Sequence, residues 1–224
     1  MTFAQRRVAV AALKAVLDAL LASGVDATSQ AGATLRQLCG ALAADAVDQV
    51  QGGTFGTPLR ACFAAATAAG ATFAGMDRVR QEAQGVTAAD LPVQRVAQTA
   101  ARFALVEMAR IIAATTFTSR QDVDATLARV NAAFVPAEDF AAGQFNNTVW
   151  RALLALHGAV VRDLGARARP LPRIVPYSFT THLPLLTLAN RLYGDAGRAD
   201  ELLAENRDTV HPLFMPADGR ALSA

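Results

Sequence analysis

From Phe3 to Ala168 apolar residues recur at helical spacing, and alanine supplies many of them. Alanine has the highest helix propensity and loses no side-chain entropy on folding, so this stretch is predicted to be helical and closely packed. Composition agrees: 53% of the 224 residues are hydrophobic but only 6% are aromatic, so the core must come from small aliphatic contacts. The length suits one large domain, or one domain and a small module. Arg169-Pro170-Leu171-Pro172 marks the boundary, because two prolines in three residues cannot continue a helix. Residues 1–169 read as a helical domain and residues 170–224 as a separate C-terminal module.

Within the helical part, periodicity predicts a helix over residues 3–23 with Gly24 at its C-terminal end, and a second over about 28–50, broken by Gly52-Gly53. Thr57 is the expected N-cap of the next, with Pro58 in its first turn. That helix carries Ala66 and Gly70, then Ala71 and Gly75, each pair four apart. In a membrane such spacing favours helix pairing; here it reads as tight packing inside a soluble bundle. A helix over about 91–115 follows Asp90, with Arg102, Glu107 and Arg110 on its soluble side. Ser119 with Asp122 resembles a capping arrangement for a helix that Pro136 is expected to end. The clearest helix spans about 148–168, with Trp150, Leu153, Leu154, His157, Val160, Val161 and Leu164 at helical spacing. Beyond the prolines, Ile174 to Thr180 is the one strand candidate, confined to an edge by Pro176. Two short helices, at about 182–193 and 196–206, and a last extended piece after Gly219 complete the expected order.

Several function classes lose support at this stage. The formal net charge of +2 does not by itself make a nucleic-acid footprint. Lys14 is the only lysine; a chain whose cations are otherwise all arginine favours bidentate and stacked contacts at interfaces, although a codon bias gives the same composition. Arg151, Arg162, Arg167, Arg169 and Arg173 could contact DNA phosphates. Few aromatics accompany them and Asp163 dilutes them, so a solvated or partner-facing surface is the better reading. Cys39 and Cys62 read as two buried thiols, not a disulfide framework. The apolar run after Arg6 and Arg7 is interrupted by Lys14 and Asp18, which does not make a signal peptide. The uncharged stretch Ala61 to Met76 falls short of a membrane span.

Catalytic and metal motifs are missing from the sequence. His157, His182 and His211 lie far apart, and the pairs Asp122/Asp124, Glu138/Asp139 and Asp200/Glu201 read as solvated faces. His157, on an apolar face, reads as a satisfied core histidine. No metal-ligand, phosphate-loop or nucleophile-elbow spacing occurs. The expectation is a non-enzyme with no cofactor and no metal.

The C-terminal stretch carries a resemblance. It runs from His182 through a leucine-rich segment into Tyr193-Gly194-Asp195, then Arg198-Ala199-Asp200-Glu201, Asn206-Arg207 and His211-Pro212-Leu213-Phe214-Met215-Pro216. From about Arg169 onward this resembles the C-terminal end of the DNA circularisation proteins of Mu-like phages; the earlier helices match only faintly. The same stretch looks like a LysM module, whose order is strand–helix–helix–strand, although Pro216-Ala217-Asp218-Gly219 is longer than the usual closing turn. The family's N-terminal domain is not recognisable here. The resemblance implies a structural tail or baseplate component, found in the virion tail and in host cytoplasm during assembly. It would contact other tail or baseplate hub proteins and form trimers or hexamers. A DNA-binding protein holding genome ends and a peptidoglycan-binding module remain as rivals. From the residues alone, Gly194 and Asp195 suit a helix end and the next cap. Asn206 suits a left-handed helix end. Leu188, Leu192, Leu202 and Leu203 suit a helix–helix core with Tyr193 and Phe214 as its larger pieces.

Overall fold

The structure is a computed structural model that describes residues 1–85 and 90–223. It is mainly helical, with a two-stranded antiparallel sheet near the C-terminus. The chain divides into two compact units, Met1–Thr115 with Val130–Val160, and Thr116–Arg129 with Val161–Ala224. The second unit thus draws residues 116–129 and 161–169 in with those that follow.

The first unit contains α1 (Phe3–Leu21), α2 (Gln30–Ala44), α3 (Ala46–Gly52), α4 (Gly56–Ala68), α5 (Phe73–Gly85) and α6 (Leu91–Ala114). Helices α7 (Arg120–Gly143) and α8 (Asn147–Ala168) contribute residues to both units. Thr2 caps α1 through a reciprocal pair of bonds with Gln5. The buried face of α6 is built largely from Val93, Val96, Ala97, Ala100, Ala101, Ala104, Leu105 and Met108, and it packs on α5, α1 and α4. Alanine at so many buried positions lets the helix axes approach closely. Gly75 takes this furthest: a Cβ there would collide with the backbone carbonyl of Ser23. The same carbonyl accepts a hydrogen bond from Thr72 N (3.0 Å), so the turn after α1 sits directly on the start of α5. Cys39 and Cys62 are both buried and unbridged; the neighbouring Cys62 thiol, followed by burial, raises the Cys39 thiol above its ordinary value.

Several expected boundaries moved. The helix predicted over 28–50 bends at Asp45 into α2 and α3. Thr57 is not a cap: α4 begins at Gly56, with Phe55 at the cap position and no side-chain bond. The small-residue helix is two helices, because Gly70 adopts φ 89° and turns the chain before α5. Pro136 does not end α7, which continues to Gly143. Glu107 is not solvated but 2% exposed, accepting from Thr67 Oγ1 (2.8 Å) and Arg110 Nη1 (2.7 Å). His157 is held as expected of a satisfied histidine. It stacks on Phe134, with Glu138 Oε1 and Asn131 Oδ1 each 2.9 Å from a ring nitrogen.

The second unit has β1 (Ile174–Ser178), α9 (Leu185–Tyr193), a single 3-10 turn at Ala196–Arg198, α10 (Ala199–Glu205) and β2 (Asp218–Leu222). Its strand–helix–helix–strand order is the expected one. Ser119 caps the start of α7, accepting from Asp122 N and donating to its carboxylate (3.2 and 2.7 Å). A small core joins the helices to the sheet through Tyr177, Leu185, Leu188, Ala189, Leu202 and Met215, with Leu192, Tyr193 and Leu203 packed beside them. Phe214, expected in that core, is 69% exposed, and its neighbour Met215 is buried instead. The reason is a backbone pairing: Met215 N donates to Leu183 O (3.0 Å), which turns Met215 inward and its neighbour out.

Candidate functional site

Both strands of a two-stranded sheet are edges, each presenting unpaired N–H and C=O groups to whatever approaches. In β1 the outward groups at Ile174 are taken by one side chain: Gln121 Nε2 donates to Ile174 O (3.0 Å) and Gln121 Oε1 accepts from Ile174 N (2.9 Å). Ladder bonds alternate along a strand, so Pro176 also faces outward. Its missing N–H therefore removes no bond to β2, and this is how a proline sits in the strand. In β2, Asn206 does to Arg220 what Gln121 does to Ile174: Nδ2 donates to Arg220 O (2.7 Å) and Oδ1 accepts from Arg220 N (3.0 Å). Asn206 Nδ2 also donates to Leu202 O (2.8 Å), one of the open carbonyls at the end of α10. Tyr193 OH accepts from Leu222 N (3.1 Å), a further outward group of β2.

The residues singled out by sequence thus fall into distinct places. Gly194 ends α9 with φ 72°, and Asp195 accepts from Gly197 N (2.7 Å) to cap the 3-10 turn. Arg198 lies over the Tyr193 ring at 4.1 Å and bonds to Glu201 (2.9 and 3.0 Å). Asp200 is exposed in the first turn of α10. Asn206 has φ −122°, so the left-handed conformation expected of it is not adopted; its side-chain clasp holds the helix end instead. His211 Nδ1 accepts from Leu213 N (3.1 Å), and Pro212 O accepts from Leu185 N (2.8 Å). Pro216 is half-buried, its carbonyl 3.5 Å from the Tyr177 hydroxyl. Burial pushes the Tyr177 phenol above its ordinary value, and does the same to Tyr193 against the opposing Leu222 bond.

Of the five arginines, Arg151 belongs to the first unit and the other four to the second. Arg167 lies over the Phe117 ring at 4.9 Å and bonds to Asp163 (3.2 Å). Arg162, Arg169 and Arg173 are exposed.

Sequence reasoning did not anticipate a groove of about 890 Å³ on the second unit. The loop after α10, the start of β2, His182 and Asp122 line much of it. Its carboxylates are Asp122, Glu205, Asp208 and Asp218, against the guanidiniums of Arg207 and Arg220. Phe214 and fully exposed Val210 stand in its wall. The loop that carries them is rigidly tied. Beyond the Pro212 and Met215 bonds, Phe214 N donates to His211 O (2.9 Å) and His182 Nδ1 donates to Met215 O (2.9 Å). Leu213 and Leu186 are exposed nearby on the same tied loop and helix start. The signal in the sequence was the run Val210-His211-Pro212-Leu213-Phe214 itself, which puts three apolar side chains in a loop.

Among the described residues no group of histidine, cysteine and carboxylate side chains is arranged to hold a metal ion, and no helix is long and apolar enough to cross a membrane. No family model matches the chain, and no curated protein matches it.

Proposed function

We propose that this chain is a non-catalytic structural component of a phage tail or baseplate that works through protein–protein contacts in virion assembly and genome delivery. The reading rests on the resemblance from Arg169 onward to the C-terminal end of the Mu-like DNA circularisation proteins. The observation that supports it best is where the motif residues direct their polar atoms. Tyr193, Asp195 and Asn206 all bond to backbone of their own unit. Side chains engaged in this way support a structural role for the motif. Gln121, Asn206 and Tyr193 occupy outward backbone groups at Ile174, Arg220 and Leu222, so at those positions a partner would be held by side chains and not by an added strand. The tied loop offers Val210, Leu213 and Phe214 for that, with little ordering entropy to lose on binding.

The test is mass spectrometry of purified tail particles together with removal of the gene. The expected result is the chain present in the particle at fixed stoichiometry and particles lacking functional tails without it. Normal, infectious particles in its absence would end the proposal.

A second reading, a protein that holds DNA ends, draws on the exposed Arg162, Arg169 and Arg173. It requires DNA affinity that falls steeply with salt, with those arginines carrying the slope. The LysM-like order suggests a third, cell-wall glycan in the groove, which co-sedimentation with purified peptidoglycan would reveal.

A further inference from the structure

The turn between α7 and α8 puts an aromatic residue where the backbone favours glycine. Phe145 N donates to Ala142 O and Asn146 N donates to Ala141 O (both 3.0 Å). This is the bond pair that closes a helix C-terminus when the residue after the cap is left-handed. That residue is Phe145, with φ 52°. Its Cβ crowds the backbone there, so a bulky side chain rarely takes this angle. The other positive-φ residues among those described are Gly24, Gly53, Gly70 and Gly194, which follow the ends of α1, α3, α4 and α9. The fold gains little from the exception. The Phe145 side chain is 90% exposed, and among the described residues its ring meets no other ring and no guanidinium.

We infer that Phe145 is an anchor for a different protein, one that offers a neutral, apolar pocket the size of one aromatic ring. A strained backbone that the fold does not repay points to a role outside the fold. The turn holds the ring on a fixed backbone, since beyond the two bonds above Asn146 Oδ1 accepts from Val149 N (3.2 Å) at the start of α8. Little order is left to lose on binding, and aromatic side chains are the commonest anchors of protein contacts. The character of the rim follows from its residues. No charged residue lies between Asp139 and Arg151, and Gln144, Asn147 and Thr148 beside the ring are exposed and uncharged. Nucleic acid or an anionic membrane would call for cations there. A second copy of the chain fits worse as well, because the groove beside Phe214 carries four carboxylates and two guanidiniums. The inference rests on the scaffold reading and names one of its contacts.

Stability and incorporation, measured on the same variants of the full chain, test it. In urea unfolding, Phe145→Gly should raise the midpoint, because glycine takes the left-handed angle without crowding; Phe145→Ala, which keeps a Cβ, should not. A midpoint lowered by Phe145→Gly would show that the ring serves the fold and would overturn the inference. In purified tail particles, quantitative mass spectrometry should find about tenfold or more fewer copies of Phe145→Gly than of the wild type, and a much smaller loss for Phe145→Leu. A glycine variant incorporated as well as the wild type would also overturn it. Phe145→p-benzoyl-phenylalanine, irradiated in host cells, should give one adduct with a different protein, the same one that co-purifies with the wild type and is lost from Phe145→Gly. No adduct, or an adduct with lipid, DNA or a second copy, would overturn the assignment. A wild type absent from tail particles that still gives that adduct would remove the scaffold reading and leave the anchor standing.

Discussion

The two units of this chain are held together by different means. In the first, α6 buries alanines and branched aliphatics against α5, α1 and α4, and the tightest point is the missing side chain of Gly75. In the second, a handful of leucines and one methionine supply the core, and three side chains, Gln121, Asn206 and Tyr193, take up backbone groups that a two-stranded sheet leaves open at Ile174, Arg220 and Leu222. Stability in the first unit comes from approach distance. In the second it comes from satisfying polar groups, as expected where too little apolar surface is present to do the work alone.

The sharpest way to break that contrast is Gly75→Ala. The added methyl meets backbone, which cannot swing aside, so the first unit should lose about 3 kcal/mol or more, measured by thermal or urea unfolding. A loss under about 1 kcal/mol would mean the turn at Ser23 yields, and close approach does not define this unit. Asn206→Ala is the counterpart in the second unit. It strands the N–H and C=O of Arg220 and the carbonyl of Leu202, and should destabilise by about 1–3 kcal/mol. Hydrogen exchange should show the effect first at the Arg220 amide, with Gln121→Ala doing the same at Ile174. Gly40→Ala serves as the control for Gly75: it lies in the exposed middle of α2 with no atom near the new methyl. It should stabilise by about 0.5–1 kcal/mol, since glycine is a poor helix former.

The smallest effect concerns alkaline pH. Burial raises the phenols of Tyr177 and Tyr193 above the ordinary 10.0, so the folded unit binds their protons more tightly than the unfolded chain does. Their contribution is complete below pH 10 and is lost as pH rises through the raised folded values. Unfolding of the second unit should therefore become easier above about pH 10, and Tyr193→Phe, which also removes the bond from Leu222 N, should blunt that slope. An unchanged slope in that variant would show that Tyr193 is not the titrating group.

Much of the layout was readable from residue order. The proline pair ahead of β1, the helical spacing of α8, and the Gly194–Asp195 hinge all act through neighbours a few residues away. Pro136 was misread because only its local effect was weighed. Val130, Ala133, Phe134, Ala137 and Ala141 are buried at helical spacing straight across it, and that pattern was present in the sequence. Phe214 was misplaced for the opposite reason. Leu213, Phe214 and Met215 are all apolar, and size favoured the ring, whereas a bond between Met215 and Leu183, far along the chain, chose the methionine. The groove was invisible because it needs α10, β2, His182 and Asp122 in one place.

By itself the order of residues determined the helical character of this protein, the break at Pro170–Pro172, the strand–helix–helix–strand order and the turn at Gly194, since propensity, capping and forbidden backbone angles act within a few residues. Only the tertiary structure decided that Asn206 clasps Arg220, that Glu107 is buried beside Thr67, that Gly75 lies against Ser23 and that Phe214 faces outward. Each of these depends on a partner brought from a distance by packing, and no local rule can say which of several equivalent side chains will find one.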